Sequence, residues 1–230
     1  MSPKKPQLSV HDQLKLFPIF ENLDEELIRI IESRLVHKSF RKNRFIYKID
    51  DPAEQVYFLV KGNIKIGANS LNGKEVIKSI IHPEATFGEM AIFGLETRES
   101  FAICIENDTK ILEMSAANFI ELMEKYPALA NNVIRILSRK LHFAEKRIES
   151  LVFKDARERI IDFLKDSAKN FGKQIGYEML LKHSLTQQDI ANFTGTSRQT
   201  VTSVLNDLKK SNQIYFKRRS ILIRDMTSLS

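Results

Sequence analysis

The spacing of hydrophobic positions changes several times along the chain, and each change predicts a new kind of element. Residues 1–13 carry no sustained period and predict a flexible tail, with order beginning near Leu14. Asp24, Glu25 and Glu26 then precede Leu27, Ile28, Ile30 and Ile31, which predicts an amphipathic helix with acidic residues where its dipole favours them. From Leu35 the pattern shortens to β-prone runs at Val36, Phe45–Tyr47, Gln55–Val60, Ile64–Ile66, Val76–Ile81, Arg98–Ile105 and Lys110–Met114. Asp50-Asp51-Pro52, Lys61-Gly62-Asn63, Asn72-Gly73 and His82-Pro83-Glu84 separate them with turn chemistry, Asn72-Gly73 being the strongest hairpin signal. Short strands at about 8–12-residue spacing predict a sandwich or barrel. Ser115 is placed to cap a helix through Phe119, Ile120, Leu122 and Met123, which Tyr126-Pro127 breaks.

A longer helix is predicted from about Ala128 to Val152. Ala130, Ile134, Leu137, Leu141, Ala144, Ile148 and Leu151 recur at steps of four, three, four, three, four and three, the seam of a coiled coil. Lys140, Glu145, Lys146, Arg147 and Glu149 on the same helix favour a partner helix over a purely internal core. Val133, Ile136 and Phe143 form a second stripe, expected to face the β domain. A third helix is expected to begin at Phe153-Lys154-Asp155 and run through Ile160, Ile161, Phe163 and Leu164. Asn170 to Lys173 reads as a loop, and Tyr177 to Lys182 as a strand.

Residues 185–205 read as two short helices around a tight turn. Thr186 is placed to cap the first, with Asp189 three residues on; Thr196 is placed to cap the second, with Gln199 in the matching position. Gly195 lies between them, where the chain must bend. Ile190, Ala191, Val201, Val204, Leu205 and Leu208 would pack the helices inward, leaving Arg198, Gln199, Thr202, Ser203 and Asn206 on the outer face. Arginine, amides and hydroxyls at the start of a helix suit the base edges of the major groove. Gln213–Phe216 and Ile221–Arg224 then read as a hairpin, a wing whose tip, Lys217-Arg218-Arg219, would lie on phosphate.

Charge sharpens this reading. The 230 residues carry a net charge of +7, and from Phe153 onward 14 Lys and Arg face 8 Asp and Glu, giving +6 in that part alone. A basic C-terminal third calls for a polyanion. No apolar run approaches the roughly 18–20 residues needed to span a bilayer, the N-terminus lacks the apolar stretch of a signal peptide, and the expected location is the cytoplasm. Cys104 is the only cysteine, which excludes an internal disulfide or a cysteine-held iron–sulfur cluster within one chain. His11, His37, His82, His142 and His183 show no zinc spacing; His82 and His142 are haem-ligand candidates by position alone, and surface or satisfied histidines on balance. No acid–base pair or nucleophile is set out, so no enzyme is expected.

A β-roll, a long dimerisation helix and a winged helix–turn–helix, in this order, resemble the Crp/Fnr family of transcription regulators. Tyr57-Phe58-Leu59-Val60-Lys61-Gly62 resembles the strand and glycine turn of cyclic-nucleotide-binding domains, and Phe87-Gly88-Glu89-Met90-Ala91 the start of their phosphate-binding cassette. Thr196-Ser197-Arg198-Gln199-Thr200-Val201 resembles the start of the family's recognition helix. The resemblance implies an α+β chain with a jelly-roll-like sensory domain at 14–127, a dimerisation helix at 128–153 and a winged helix–turn–helix at 154–228. It implies an effector site at Gly88, Glu89, Met90 and Ala91, completed by an arginine and a serine that follow. Ungapped alignment of the flanking strands sets Glu99 at the arginine position and Ser100 at the serine position, with Arg98 one residue early, able to serve only if the loop absorbs the shift. The helix positions that read adenine fall at Ala144 and Glu145, which offer no hydroxyl. The effector is therefore an unidentified small molecule, and cyclic AMP is not expected.

The leading expectation is a homodimeric, sequence-specific regulator controlled by an effector in the β-roll. Thr186, Ser197, Arg198, Gln199, Thr202 and Ser203 would face a pseudo-palindromic operator. RNA polymerase is a further candidate partner, without a signature of its own in the sequence. Two rivals are a cyclic-nucleotide signalling module that contacts protein and a DNA binder that needs no ligand.

Overall fold

The computed structural model describes residues 9–70 and 72–229. These divide into two units, one of residues up to 68 together with 80–142, the other of 69–79 together with 143 onward.

Along the chain up to residue 153, where β5 and α4 each run across the division, α1 (Val10–Leu14), a 3-10 turn (Pro18–Phe20) and α2 (Glu25–Ser33) precede β1 (Val36–Phe40), β2 (Phe45–Tyr47), β3 (Gln55–Lys61), β4 (Ile64–Asn69), β5 (Glu75–Ile81) and β6 (Thr86–Phe87). A second 3-10 turn (Glu89–Phe93), β7 (Phe101–Cys104), β8 (Thr109–Ser115), α3 (Ala116–Lys125) and α4 (Pro127–Phe153) follow. The strands form two four-stranded sheets, ordered β1-β8-β3-β6 and β2-β7-β4-β5. This is the jelly-roll-like β domain that the short runs predict.

Strand β3 is apolar from Val56 to Val60 because both its faces are covered. Tyr57 and Leu59 point into a core with Tyr47, Ile64, Phe87, Ala102, Cys104 and Ile111. Val56 and Phe58 point the other way, into a core built by the helices, with Phe17, Phe20, Phe119, Leu129 and Val133. Phe58 meets Phe20 at 5.0 Å and Phe17 edge-on at 5.9 Å between ring centroids. Ser115 caps α3 as expected, accepting from the Asn118 N–H.

The tail expected over residues 1–13 is in part helix. Ser9 caps α1, Leu14 is fully buried, and the His11 ring lies 2.7 Å from a Glu25 carboxylate oxygen. One apolar anchor and one polar pair suffice for a single turn too short to show a period; residues 1–8 lie outside the described residues.

The second unit contains α5 (Ala156–Phe171), β9 (Lys173–Ile175), β10 (Glu178–Lys182), α6 (Gln187–Thr194), α7 (Arg198–Lys210), β11 (Ile214–Lys217) and β12 (Ser220–Ile223). Its sheet runs β11-β12-β10-β9. Ile160, Leu164, Ala168, Val201, Leu205, Leu208, Ile214 and Ile223 fill its core. Two expected boundaries shift. Phe153 ends α4, and the third helix starts only at Ala156, because Asp155 forms a capping box with Glu158. Asn170 and Phe171 extend α5, and Lys173 opens a strand whose three residues are all exposed, so no alternation announces it.

Candidate nucleic-acid interface

The helix–turn–helix is built by its caps. The Thr186 hydroxyl accepts from the Asp189 N–H at 3.1 Å, and the Asp189 carboxylate accepts from the Thr186 N–H at 2.8 Å. Gly195 is left-handed at φ 65°, and the Thr196 N–H closes α6 on the Ala191 carbonyl at 3.0 Å. The cap of α7 is Ser197 rather than Thr196: its hydroxyl accepts from the Thr200 N–H at 3.0 Å. Ser197 holds the extended backbone at the helix entry, whereas the Thr196 hydroxyl lies 3.1 Å from that of Thr194. Arg159, on α5, braces the turn by donating to the Thr194 carbonyl at 2.9 Å and the Lys154 carbonyl at 2.6 Å. Nothing in the sequence marks Arg159 for this task; an arginine early on a helix reads as a solvated charge.

Val201, Val204, Leu205 and Leu208 are buried, and Arg198, Gln199, Ser203 and Asn206 are exposed on the opposite side of α7. Thr202 is half-buried and already engaged: its hydroxyl donates to Gln187 Oε1 at 2.8 Å or to the Arg198 carbonyl at 2.9 Å. Beside them, β11 and β12 pair Lys217 with Ser220 around Arg218-Arg219. Arg219 is left-handed at φ 69°, its carbonyl accepts from the His183 N–H at 3.1 Å, and Lys217, Arg218 and Arg219 are all exposed. Thr186, by contrast, spends its hydroxyl on its own cap.

In the first unit the cassette turns on Gly88, left-handed at φ 74° and ψ 12°. A Cβ there would stand 2.8 Å from Tyr57 Cδ2, so only glycine fits. Arg98, not Glu99, faces this turn. It is 3 % exposed, donates from Nη1 to the Gly88 carbonyl at 2.8 Å and from Nη2 to the Gln55 carbonyl at 2.5 Å, and lies 4.5 Å from the Tyr47 ring centroid. Tyr47, Tyr57 and Phe87 stack beneath it, and burial pushes both phenols above their ordinary value. Glu99 points outward and is exposed, while the Ser100 hydroxyl bonds Tyr47. The strand argument that favoured Glu99 fails because β7 starts only at Phe101; Arg98 sits in the preceding loop, paired through Asp50 and Asp51.

Of the remaining cassette residues, Ala91 is buried and Met90 exposed. Glu89 is paired with Lys140 of α4, whose ammonium donates to Glu89 Oε1 at 2.7 Å and to the Thr86 carbonyl at 3.0 Å. Sequence reasoning counts Lys140 only among the helix charges that favour a partner helix. Ala144 and Glu145 are exposed in the second unit.

Along α4, Ile134, Leu141 and Ile148, seven residues apart, are 60, 62 and 63 % exposed. Leu137, placed on the same seam, packs in part on the first core. Val133 and Ile136 also pack there, but Phe143 does not; it lines a cavity in the second unit with Phe153, Phe163 and Phe193. Burial lowers the His82 imidazole to about 4 and raises the Cys104 thiol to about 11. Among the described residues no group of three His, Cys, Asp or Glu could hold a metal, and no helix is long and apolar enough to cross a membrane.

Both halves of the chain match known domains. Residues 37–126 match the cyclic nucleotide-binding domain, and residues 158–230 match the Crp-like helix-turn-helix domain. A CRP-like cAMP-activated global transcriptional regulator of Mycobacterium tuberculosis is 28 % identical over 92 % of this chain and 94 % of its own. A global nitrogen regulator of Nostoc sp. is 26 % identical over 85 % of this chain and 88 % of its own. The structure of a CooA mutant from Carboxydothermus hydrogenoformans superposes with a TM-score of 0.75 at 26 % identity, covering 93 % of each chain. Both sequence relatives are named as regulators. With both domains matched in the same order, on the same fold and over nearly the full length, the chain belongs to the Crp/Fnr family of transcription regulators.

Proposed function

We propose that this protein is a homodimeric, sequence-specific DNA-binding regulator of transcription, acting in the cytoplasm, with its β domain as the regulatory half. One observation carries the reading: Arg198 and Gln199 stand exposed at the start of a recognition helix whose inner face is fully packed, beside an exposed Lys217-Arg218-Arg219 tip. Arginine gives two parallel hydrogen bonds to guanine N7 and O6, and glutamine the same to adenine N6 and N7. The wing tip, by its charge and its distance along the chain from the helix, suits phosphate. Ser203 lies on the reading face, and Ser197 supports it from the cap.

The dimer reading rests on Ile134, Leu141 and Ile148. Exposed aliphatic side chains at heptad spacing ask for a second helix of the same kind. Two-fold symmetry then calls for a pseudo-palindromic operator with half-site centres about 34–36 Å apart. The relatives' names, one for cyclic AMP and one for nitrogen, show that this family serves different signals, so membership does not fix the input here. Selection of bound sequences from a random DNA pool tests the reading. The expected product is an inverted repeat; recovery of unselected sequence at every salt concentration would sink it.

A further inference from the structure

We propose that Lys140 is a built-in ligand of the cassette, and that the protein binds its operator with no small molecule in the β domain. This rests on the regulator reading above.

The groups that the cassette offers to an anionic ligand are already committed inside the chain. Each terminal nitrogen of Arg98 donates to a backbone carbonyl, of Gly88 and of Gln55. Its guanidinium also stacks on Tyr47. Only Nε lacks a partner, and it is buried beneath an arginine 3 % exposed, so a ligand reaches it only by pulling the side chain out. Doing so takes that donor from the Gln55 carbonyl and leaves the Gly88 carbonyl with only the longer bond from the Ala91 N–H, at 3.3 Å. Arg98 gives the left-handed Gly88 turn its shorter carbonyl bond, at 2.8 Å. Arg98 thus acts as a positioning residue for the turn.

Glu89 is the cassette's other polar group, and its side chain is 15 % exposed. Lys140 donates to it at 2.7 Å and to the Thr86 carbonyl at 3.0 Å. A desolvated carboxylate needs a partner, and α4 brings one from within the chain. The ammonium therefore spans cassette and helix, the two elements that an effector between them would have to join. Glu99 faces outward, and Ala144 and Glu145 supply no hydroxyl for a base. A cyclic nucleotide finds neither a free phosphate arginine nor a free ribose acceptor here.

The test measures DNA affinity by fluorescence anisotropy on an operator selected from a random pool, with and without millimolar cyclic AMP or cyclic GMP. The parent should bind equally in all three conditions. Lys140→Met should weaken binding by ~10-fold, and Lys140→Arg should restore it to within ~2-fold of the parent. Glu89→Gln should weaken it in the same direction, and the charge-swapped pair Glu89→Lys with Lys140→Glu should recover part of the loss. The swap separates a lost contact from a lost fold, and circular dichroism melts confirm it. A parent that tightens on DNA with either nucleotide overturns the proposal, as does a Lys140→Met variant that binds like the parent. In both cases the regulator reading stands. A parent that binds no DNA in any condition also overturns this proposal alone, since a regulator that needs a different effector behaves in the same way.

Discussion

Arg198 separates a reading residue from a merely charged one. If it pairs with a guanine, Arg198→Ala loses a bidentate contact of about 1–3 kcal/mol against the wrong base and relaxes preference at one base pair per half-site. Sequences selected by this variant should keep the parental consensus elsewhere; an unchanged consensus would remove Arg198 from base readout. Thr202 belongs to a different role, since its hydroxyl donates to Gln187 or to the Arg198 carbonyl in the first turn of α7. His82 makes a second residue-level prediction. Burial lowers its imidazole from 6.5 to about 4, with Glu106 pulling the other way. Unfolded, it takes a proton near pH 6.5; folded, it resists until pH nears 4. Its contribution is fully present above about pH 6.5 and is lost as pH falls through that interval. Urea melts at about pH 7 and about pH 5 should show the parent losing more stability than His82→Gln. Equal losses would assign the acid sensitivity elsewhere. The sequence showed these residues but not their duties. Arg98 was legible as a candidate, yet Glu99 took its place because strand alternation was extended into a loop, where it has no force.

Elements were more legible than single contacts, because each amphipathic face repeats its signal many times. The α4 seam is a case in point: seven positions at steps of four and three are visible before any coordinates, and the middle of that stripe does stand exposed. Leu137 departs from it by packing on the core, where Val133, one turn back, and the adjacent Ile136 already lie. Leu141→Glu therefore tests the seam better than any change at Leu137, since Leu141 touches little within its own chain. It should give monomers in sedimentation and weaken operator binding, with little change in the monomer's own helix content. A dimer that survives would place the interface on another face. Strand β9 shows the opposite limit. All three of its residues are exposed, so neither alternation nor an apolar run betrays it, and only its pairing to β10 makes it a strand. The helix–turn–helix was legible down to Gly195, while the brace from Arg159 was not; a side chain that satisfies carbonyls thirty-five residues away leaves no periodic trace.

At the scale of the whole molecule, charge and symmetry act together. Of the net +7, +6 falls from Phe153 onward, where 14 Lys and Arg face 8 Asp and Glu. The rest of the chain is close to neutral. Such an asymmetry orients approach to DNA before any base is read, and it makes affinity fall steeply with salt. Each phosphate that a cation neutralises releases counterions and contributes about 0.9 to the slope of log K against log salt. A symmetric dimer doubles every loss. Arg219→Ala, at the exposed wing tip, should therefore lower that slope by about 2 for the dimer if each wing holds one phosphate through it. It should weaken all sequences alike, because phosphates carry no base identity. The left-handed backbone at Arg219 adds a check, since Arg219→Gly removes the charge while keeping the turn. Both substitutions should give the same slope if charge alone matters. A slope unchanged in both would mean that the wing tip stands off the duplex, and that the basic character of the second unit is read through other lysines and arginines.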